Sequence, residues 1–418
     1  EATQDDSEIV IINTCGFIES AKEESIEHML AAARQKKHKM KKLIVTGCLS
    51  ERYQEELLKE MPEIDGLLGT GRFDEITDVI ESVLKEHREM RVGEVDHPYH
   101  ENLKRTRTSV KHLAYVKIAE GCDHHCTYCV IPQLRGPLRS RSLEAIIKEI
   151  QDLAADGVRE IILIAQDTAS YGMDRYKTHM LATLLKELEK IKNIHWIRLM
   201  YCYPERITDE LLEVLGASHK ITAYLDLPIQ HSENRILKRM KRNATKENLI
   251  EIIQKIRSHV PGIVLRTTII VGFPGETDEE FEALKQFIEE IKFDKLGVFT
   301  YSKEENTPAA RLPDQIPEEV KLRRLESVML LQQSISQELL RNRIGHEEEV
   351  IIEELLEQVQ DSYQYSGRTR GDAPEIDGLV YIESHKELAI GDFEKIKITD
   401  ALEYDLMGVL ADEVEPGK

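Results

Sequence analysis

The chain has 418 residues, 41% of them hydrophobic and 32% charged, with 56 basic against 77 acidic side chains and a formal net charge of −21. That length holds two or three domains with cores of their own, and the acidic balance argues against a protein whose main partner is nucleic acid. The longest apolar-rich runs, such as 263–271 and 161–165, are strand-length and too short to cross a bilayer.

Residues 1–90 read as alternating strands and helices. EIVIIN at 8–13 is a buried strand, 19–34 a helix, and KLIVT at 42–46 a second strand. The basic stretch 34–42 reads as a solvated helix C-terminus, where cations suit the dipole, rather than as an RNA patch. Residues 91–111 are polar, carry Pro98 and lack periodicity, which marks a linker.

Residues 112–343 are the most regular part. Apolar β-type runs recur at 113–118, 160–165, 196–201, 223–227, 263–271 and 296–301, separated by helical patterns such as 143–155 and 280–291. Buried rather than alternating strands imply a parallel sheet. Six β/α units are too few for the eight-stranded barrel, so an open-sided, partial (βα)6 barrel is expected. Polar or glycine-rich clusters follow the strands at 121–129, 166–167, 203–204, 228–231, 272–277 and 302–306. Parallel α/β sheets build their active sites at the carboxyl ends of the strands, because the loops converge there. One such cluster means little; six point to a single site.

A long amphipathic helix is expected over 317–343, with Pro317 near its first turn and Gly345 near its end. Across 344–412, short β-rich segments at 349–352, 379–382 and 393–398 alternate with turn residues, as in a small antiparallel β-barrel of OB-like kind. The fold class is thus α/β plus a small all-β domain: a parallel α/β domain at 1–90, a partial barrel at 112–343 and a terminal barrel at 344–412. Residues 341–418 hold eight basic and 20 acidic side chains, a net −12, so more than half of the acidic excess sits in the last fifth of the chain.

Six cysteines in a long chain with no secretory signal suggest reduced thiols, and therefore metal binding or catalysis in a cytoplasmic protein. Three of them, Cys122, Cys126 and Cys129, lie in the loop GCDHHCTYC at 121–129, spaced x3 then x2. Iron–sulfur cubanes are normally held by four cysteines, so three ligands leave one iron open to a substrate. The competing reading is zinc, with His124 or His125 as fourth ligand, although zinc sites more often split their ligands between two knuckles. GFPGET at 272–277 follows the fifth strand. Its Gly272 and Gly275 allow close backbone approach, Glu276 joins them as a candidate contact, and Thr277 with Glu280 fits a capping box. In isolation it reads equally well as a plain strand–helix turn. Gln166, Asp167, Gln230 and Arg266 are candidates for polar cofactor contacts, each with a structural reading beside it. Cys15 and Cys48, in NTCG and TGCL, directly follow two successive strands; either alone would read as a small buried residue, but two equivalent positions suggest a shared role. Cys202 reads as structural.

The three-cysteine loop resembles the signature of the radical S-adenosylmethionine superfamily. That resemblance implies a 4Fe–4S cluster on Cys122, Cys126 and Cys129, whose open iron is chelated by the amino and carboxylate groups of S-adenosylmethionine. One electron then cleaves the sulfonium to give a 5′-deoxyadenosyl radical, while the barrel orients the cofactor and excludes water. It sets Tyr128 beside the adenine and the 272–277 turn beneath the cofactor. Over essentially the whole chain the sequence is similar to the methylthiotransferases, radical enzymes that convert C–H to C–SCH3. In that family three cysteines from three loops hold a second 4Fe–4S cluster carrying the sulfur, and Cys15 and Cys48 match two of them. The third, with the family's first strand, precedes the point where this sequence begins at Glu1, so the second cluster is expected to be incomplete here. The terminal barrel corresponds to the family's TRAM domain.

Within the family the choice lies between tRNA adenosine enzymes and the RimO type, which modifies an aspartate of small-subunit ribosomal protein S-twelve. WIRLMY at 196–201, YSKEE at 301–305, and Arg368 followed by DAPEIDG at 372–378 look like the RimO type. Charge gives an independent test. A terminal barrel that gripped tRNA should be basic, since phosphate neutralisation dominates RNA affinity. The stretch 341–418 that holds this one carries −12, which suits a basic partner such as a ribosomal protein. The expected reaction is methylthiolation of the aspartate β-carbon, with the S-twelve protein or the ribosomal subunit as partner and a flavodoxin or ferredoxin as electron donor. The alternatives are a tRNA methylthiotransferase acting on N6-isopentenyl or threonylcarbamoyl adenosine and, from another class, a non-catalytic zinc-binding adaptor.

Overall fold

In a computed structural model the chain forms two compact units. The structure describes residues 7–36, 41–93, 95–96, 101, 105–107, 110–360 and 362–413. Pro98 with much of the expected linker, and residues 37–40 of the basic stretch, lie outside the described residues.

The first unit comprises Glu1–Arg105, Ala119–Arg141 and Ser302–Leu312. Its apolar runs form strands β1 (Ile9–Thr14) and β2 (Lys42–Gly47), joined by β3 (Gly66–Leu68) and β4 (Glu89–Arg91) in the order β1-β2-β3-β4, all parallel. Leu43, Val45 and Leu67 of the sheet pack with Met29 and Ala32 of the helix Glu19–Gln35 and Leu49 and Leu57 of the helix Cys48–Glu60. β3 and β4 hold three residues each, too few to leave a periodic signal. The cysteine loop runs between two short strands, β6 (Ala119–Glu120) and β7 (Arg139–Ser140), which pair antiparallel.

The second unit comprises Thr106–Ile118, Ser142–Tyr301 and Pro313–Lys418. Its first part is a six-stranded parallel sheet of β5 (Leu113–Lys117), β8 (Glu160–Ile164), β9 (Trp196–Leu199), β10 (Ile221–Asp226), β11 (Val264–Val271) and β12 (Lys295–Thr300). The order is β12-β11-β10-β9-β8-β5, so the strands follow one another around an open sheet as the sequence implied. Three of the helices between the strands start where a hydroxyl satisfies an orphan N–H: Ser142 before Leu143–Ala155, Thr208 before Asp209–Ala217, Thr245 before Lys246–His259. Before Asp278–Ile291, Thr277 and Glu280 make both bonds of the expected capping box. The trailing helix is Glu318–Arg341.

Five further strands close into a barrel: β13 (Glu347–Val359), β14 (Ser362–Thr369), β15 (Val380–Ser384), β16 (Phe393–Ala401) and β17 (Leu406–Leu410), in the order β13-β14-β15-β17-β16. The expectation of a wholly antiparallel barrel is corrected in one place, since β15 runs parallel to β17. A closed ring with an odd number of strands cannot alternate throughout, so one neighbouring pair must be parallel. Ala373, in the segment between β14 and β15, packs with Leu113, Ile162 and Tyr224 of the six-stranded sheet and with Met200 just past β9. Among the described residues no helix is long and apolar enough to cross a membrane.

Candidate functional site

All five candidate cysteine ligands lie in the first unit. Thr14 and Gly47 are the last register pair of β1 and β2, so Cys15 and Cys48 are the first residues past the carboxyl ends of neighbouring parallel strands. Their loops can approach because Gly16 and Gly47 carry no side chain. A Cβ on Gly47, whose φ is +100°, would lie 2.5 Å from the Thr14 carbonyl oxygen, and one on Gly16 would lie 2.9 Å from the Cys48 carbonyl carbon. Thr14 Oγ1 donates to the Thr46 carbonyl at 2.7 Å, and the Cys15 N–H donates to Ser25 Oγ at 3.0 Å. Cys15 is exposed and Cys48 buried.

The loop carrying Cys122, Cys126 and Cys129 has no helix or strand of its own and is shaped by backbone bonds. The Cys122 N–H donates to the Gly136 carbonyl, and the Cys129 N–H to the Cys126 carbonyl, both at 3.1 Å. Asp123 Oδ1 accepts the Leu138 N–H at 2.9 Å. Cys122 and Cys126 are buried, Cys129 and Tyr128 half-buried, and none of the six cysteines is in a disulfide. The Ile131 N–H donates to Cys129 Sγ at 3.4 Å. Buried thiols with a backbone donor on sulfur are a donor set that fits an iron–sulfur cluster. Among the described residues no three Cys, His, Asp or Glu side chains converge on a single metal ion. A cubane is served differently, because each thiolate binds its own iron.

The helix Ile131–Arg135 directly after the loop meets the other cysteine group. Val130 and Leu134 pack on Cys48, Thr70 Oγ1 donates to the Leu134 carbonyl at 2.6 Å, and Arg135 reaches Cys48 Sγ at 3.3 Å and Glu120 Oε1 at 2.9 Å. Arg135 was not among the sequence candidates. Its partners are 87 and 15 residues away, and nothing local announces them.

The remaining candidates lie in the second unit, most of them at the carboxyl ends of its parallel strands; Arg266 stands near the start of β11, in register with Asp226 at the end of β10. Gln166 follows β8, and its Oε1 is buried with no hydrogen-bond partner among the described residues, which suits a ligand donor. Asp167 ties its own loop to the one after β9: its carboxylate accepts from the Ala169 and Tyr203 N–H groups at 3.1 and 3.4 Å and from Ser170 Oγ. Gln230, at φ +71°, bridges β11 by backbone bonds to Thr268 and Ile270, both 2.8 Å, leaving its side chain for other contacts. Arg266 pairs with Asp226 Oδ1 at 2.9 Å. Cys202 is fully buried, 3.1 Å from Thr168 Oγ1, and burial pushes its thiol up, in line with a structural role.

The 272–277 turn is held by the trailing helix. A Cβ on Gly272, at φ +71°, would meet Lys321 Cγ at 2.3 Å, so the glycine makes room for that helix. Gly275 turns at φ +78° and donates its N–H to the Asp314 carbonyl at 2.8 Å. Glu276, 2% exposed, accepts the Phe273 N–H at 3.1 Å and pairs with Arg324 at 3.0 Å. Gly272→Ala is expected to destabilise the fold by roughly 1–3 kcal/mol, through overpacking and the left-handed φ together, as measured by urea unfolding.

Burial pushes the Glu276 carboxyl up to about 7, against the opposing pull of Arg324. Its stability contribution is therefore fully present below the unfolded value near 4.5 and is lost as pH rises through about 7. Glu276→Gln should stay neutral, while Arg324 keeps Asp278 at 2.6 Å. The variant is expected to gain on the order of 2 kcal/mol relative to the parent between pH 5 and pH 8, read from unfolding curves at the two pH values.

Residues 116–288 match the radical SAM superfamily, 344–410 the TRAM domain, and 1–69 the uncharacterized protein family UPF0004. Ribosomal protein uS12 methylthiotransferase RimO of Clostridioides difficile (strain 630) is 50% identical over 405 residues, covering 97% of this chain and 90% of the relative. That of Desulforamulus reducens is 52% identical over 407 residues, covering 97% and 91%. Among solved structures, the radical S-adenosylmethionine methyltransferase TsrM of Kitasatospora setae, with cobalamin and a [4Fe-4S] cluster bound, aligns with a TM-score of 0.57 at 13% identity. The alignment covers 85% of this chain and 68% of that one, a likeness of fold alone. With three domains matched in order and half of the residues shared over nearly its whole length, the chain belongs to the RimO methylthiotransferase family of radical SAM enzymes.

Proposed function

We propose that the chain methylthiolates the β-carbon of an aspartate in ribosomal protein uS12, using two 4Fe–4S clusters and S-adenosylmethionine. The observation that carries this reading is the pair Cys15 and Cys48, side by side at two strand ends, with Cys48 packed against the helix that follows the three-cysteine loop. A radical enzyme that only cleaved its cofactor would need the loop and not the pair.

Cys122, Cys126 and Cys129 would hold the first cluster, and Cys15 and Cys48 two positions of the second. That first cluster, when bound, would supply one-electron reductive chemistry on S-adenosylmethionine. The protein's own work is holding and shielding. The Ile131 N–H steadies the Cys129 sulfur, and Val130 and Leu134 keep water from Cys48. Arg135 places a cation against the Cys48 sulfur and so favours its thiolate as a ligand. Tyr128, Gln166 and Gln230 are the contacts we assign to S-adenosylmethionine, the first by its aromatic face and the other two by their amides. Asp167, Arg266, Gly272, Gly275 and Glu276 support them by fixing the loops in which they stand.

The net −12 of residues 341–418, which hold the terminal barrel, supports a basic protein as partner over tRNA. The one-electron donor is of the flavodoxin or ferredoxin class. Reconstituted protein is to be incubated with S-adenosylmethionine and reductant, and with uS12 or tRNA, each then weighed by mass spectrometry. One methylthio group on uS12 is the expected result; mass added to tRNA alone would overturn it.

A further inference from the structure

The resemblance to the RimO type rests on segments as far apart as 196–201, Arg368 and 372–378. In the second unit they form one connected structure. Arg198 of β9 donates to Glu160 at 2.9 Å and to the Arg370 carbonyl at 2.9 Å, and Arg368 donates to the other oxygen of Glu160 at 2.6 Å. Asp377 Oδ2 accepts from Tyr224 Oη and from the Ala373 N–H, both at 2.8 Å, while its Oδ1 lies 3.8 Å from Arg266. Arg266 holds Asp226 Oδ1 at 2.9 Å, and Asp226 Oδ2 accepts the backbone N–H of Tyr201 at 3.0 Å. A chain of polar contacts thus runs from the terminal domain's 372–378 segment to Tyr201, just past the end of β9.

Tyr201 is the unusual residue in that chain. Its φ is +58°, a left-handed conformation that a bulky aromatic adopts only when its surroundings impose it. They do so here from both sides. Asp226 takes its N–H, and Thr168 donates to its carbonyl through N–H at 3.0 Å and through Oγ1 at 3.2 Å. The outcome is a tyrosine 44% exposed among loops at the carboxyl ends of the strands. Burial of its phenol edge and the Asp226 charge both push its ionisation up, so the group stays a neutral O–H donor. Asp226 is matched by Arg266, so a second carboxylate arriving there meets a balanced pair rather than a bare anion.

We propose that Tyr201 donates a hydrogen bond to the side-chain carboxylate of the substrate aspartate, and that Asp226, Arg266 and Asp377 are positioning residues that set Tyr201 from the terminal domain. The assignment rests on the proposed function, since it names a contact for that same substrate. The terminal barrel then shapes the reaction chamber itself, besides any part it has in recruiting the substrate. Gripping the carboxylate would fix rotation about the α–β bond and present one β-hydrogen for abstraction.

The test uses the full-length reconstituted protein with uS12 deuterated at the β-carbon of the target aspartate, and reads deuterium in 5′-deoxyadenosine. That readout needs no sulfur transfer. For Tyr201→Phe we expect deuterium transfer to fall roughly 10- to 100-fold, the value of one hydrogen bond to a charged group, while total cofactor cleavage stays within about threefold. A uS12 variant with asparagine at the target position supplies the readout that a merely structural role would not move. The parent should favour aspartate by at least about tenfold, and Tyr201→Phe should bring that preference close to unity. Asp377→Asn, with no expected contact to substrate, should lower the preference by roughly three- to tenfold; Lys386→Gln, which breaks a surface pair with Asp412 in the same barrel, should leave it unchanged. An unaltered aspartate preference in Tyr201→Phe, or in Asp377→Asn, would overturn the assignment. No deuterium transfer by the parent would instead sink the proposed function.

Discussion

Alanine at any one of Cys122, Cys126 or Cys129 is expected to strip the protein of its firmly held iron and to reduce cofactor cleavage to background. Each of the three is a sole ligand to its own iron in the cluster we assign, Cys15 and Cys48 are assigned to the second cluster, and Cys202 is fully buried beside Thr168. Loss should appear as about four iron and four sulfide per chain, with the thiolate-to-iron absorbance gone. Cys15→Ala and Cys48→Ala should behave differently, keeping cleavage of S-adenosylmethionine but losing any methylthiolated product. Cys202→Ala is the control: it should keep its iron and cost only about 1 kcal/mol, for a small cavity beside Thr168. Full iron content in Cys122→Ala would remove the loop from the ligand set.

Much of this was legible in the sequence because it is local. The strands of the partial barrel are short runs of Ile, Val and Leu, and their order in space follows their order in the chain. The capping box at Thr277 is written in four residues. The equivalence of Cys15 and Cys48 followed from each standing one step past a strand, and the register of β1 and β2 confirms that placement. What stayed hidden depends on partners far away in the chain. The turn at Gly272 looked like a cofactor cradle, and its immediate reason is the Lys321 stem against it. Arg266 reads from the sequence as either a cofactor contact or a structural polar residue, and it is held by Asp226. β14, SYQYSGRT, reads as polar loop until the barrel closes around Tyr365. No pattern in the sequence announces that Tyr201 must turn left-handed, because Asp226 and Thr168 impose that conformation from other loops.

The second large effect is expected at Glu160. This carboxylate is fully buried, bonded to Arg198 at 2.9 Å and to Arg368 of the terminal barrel at 2.6 Å. Arg368 also pairs with the half-buried Glu353 at 2.7 Å, so two guanidinium groups and two carboxylates balance one another, with Glu160, Arg198 and Arg368 away from water. Such a set is weak evidence for stability as a whole, since well-packed apolar groups can replace it. Removing one member is another matter, because it strands the rest. Glu160→Gln leaves Arg198 without a carboxylate and is expected to cost about 3–5 kcal/mol. The one tryptophan, Trp196, is well placed to report it: its ring meets Phe393 of the terminal barrel edge-on at 4.7 Å, and its Nε1 donates to Glu349 at 3.2 Å. Fluorescence-detected urea unfolding at pH 7 should show the loss directly. The pH dependence gives the sign. Burial opposes ionisation of Glu160, but Arg368 and Arg198 together outweigh it and hold the carboxyl below its ordinary value. Its contribution is therefore present above the unfolded value near 4.5 and disappears as pH falls through the lower folded value. The gap between parent and Glu160→Gln should hold steady from pH 8 to about pH 5 and narrow only below about pH 4. A gap that is already closed at pH 7 would mean that Glu160 carries no net charge in the folded protein.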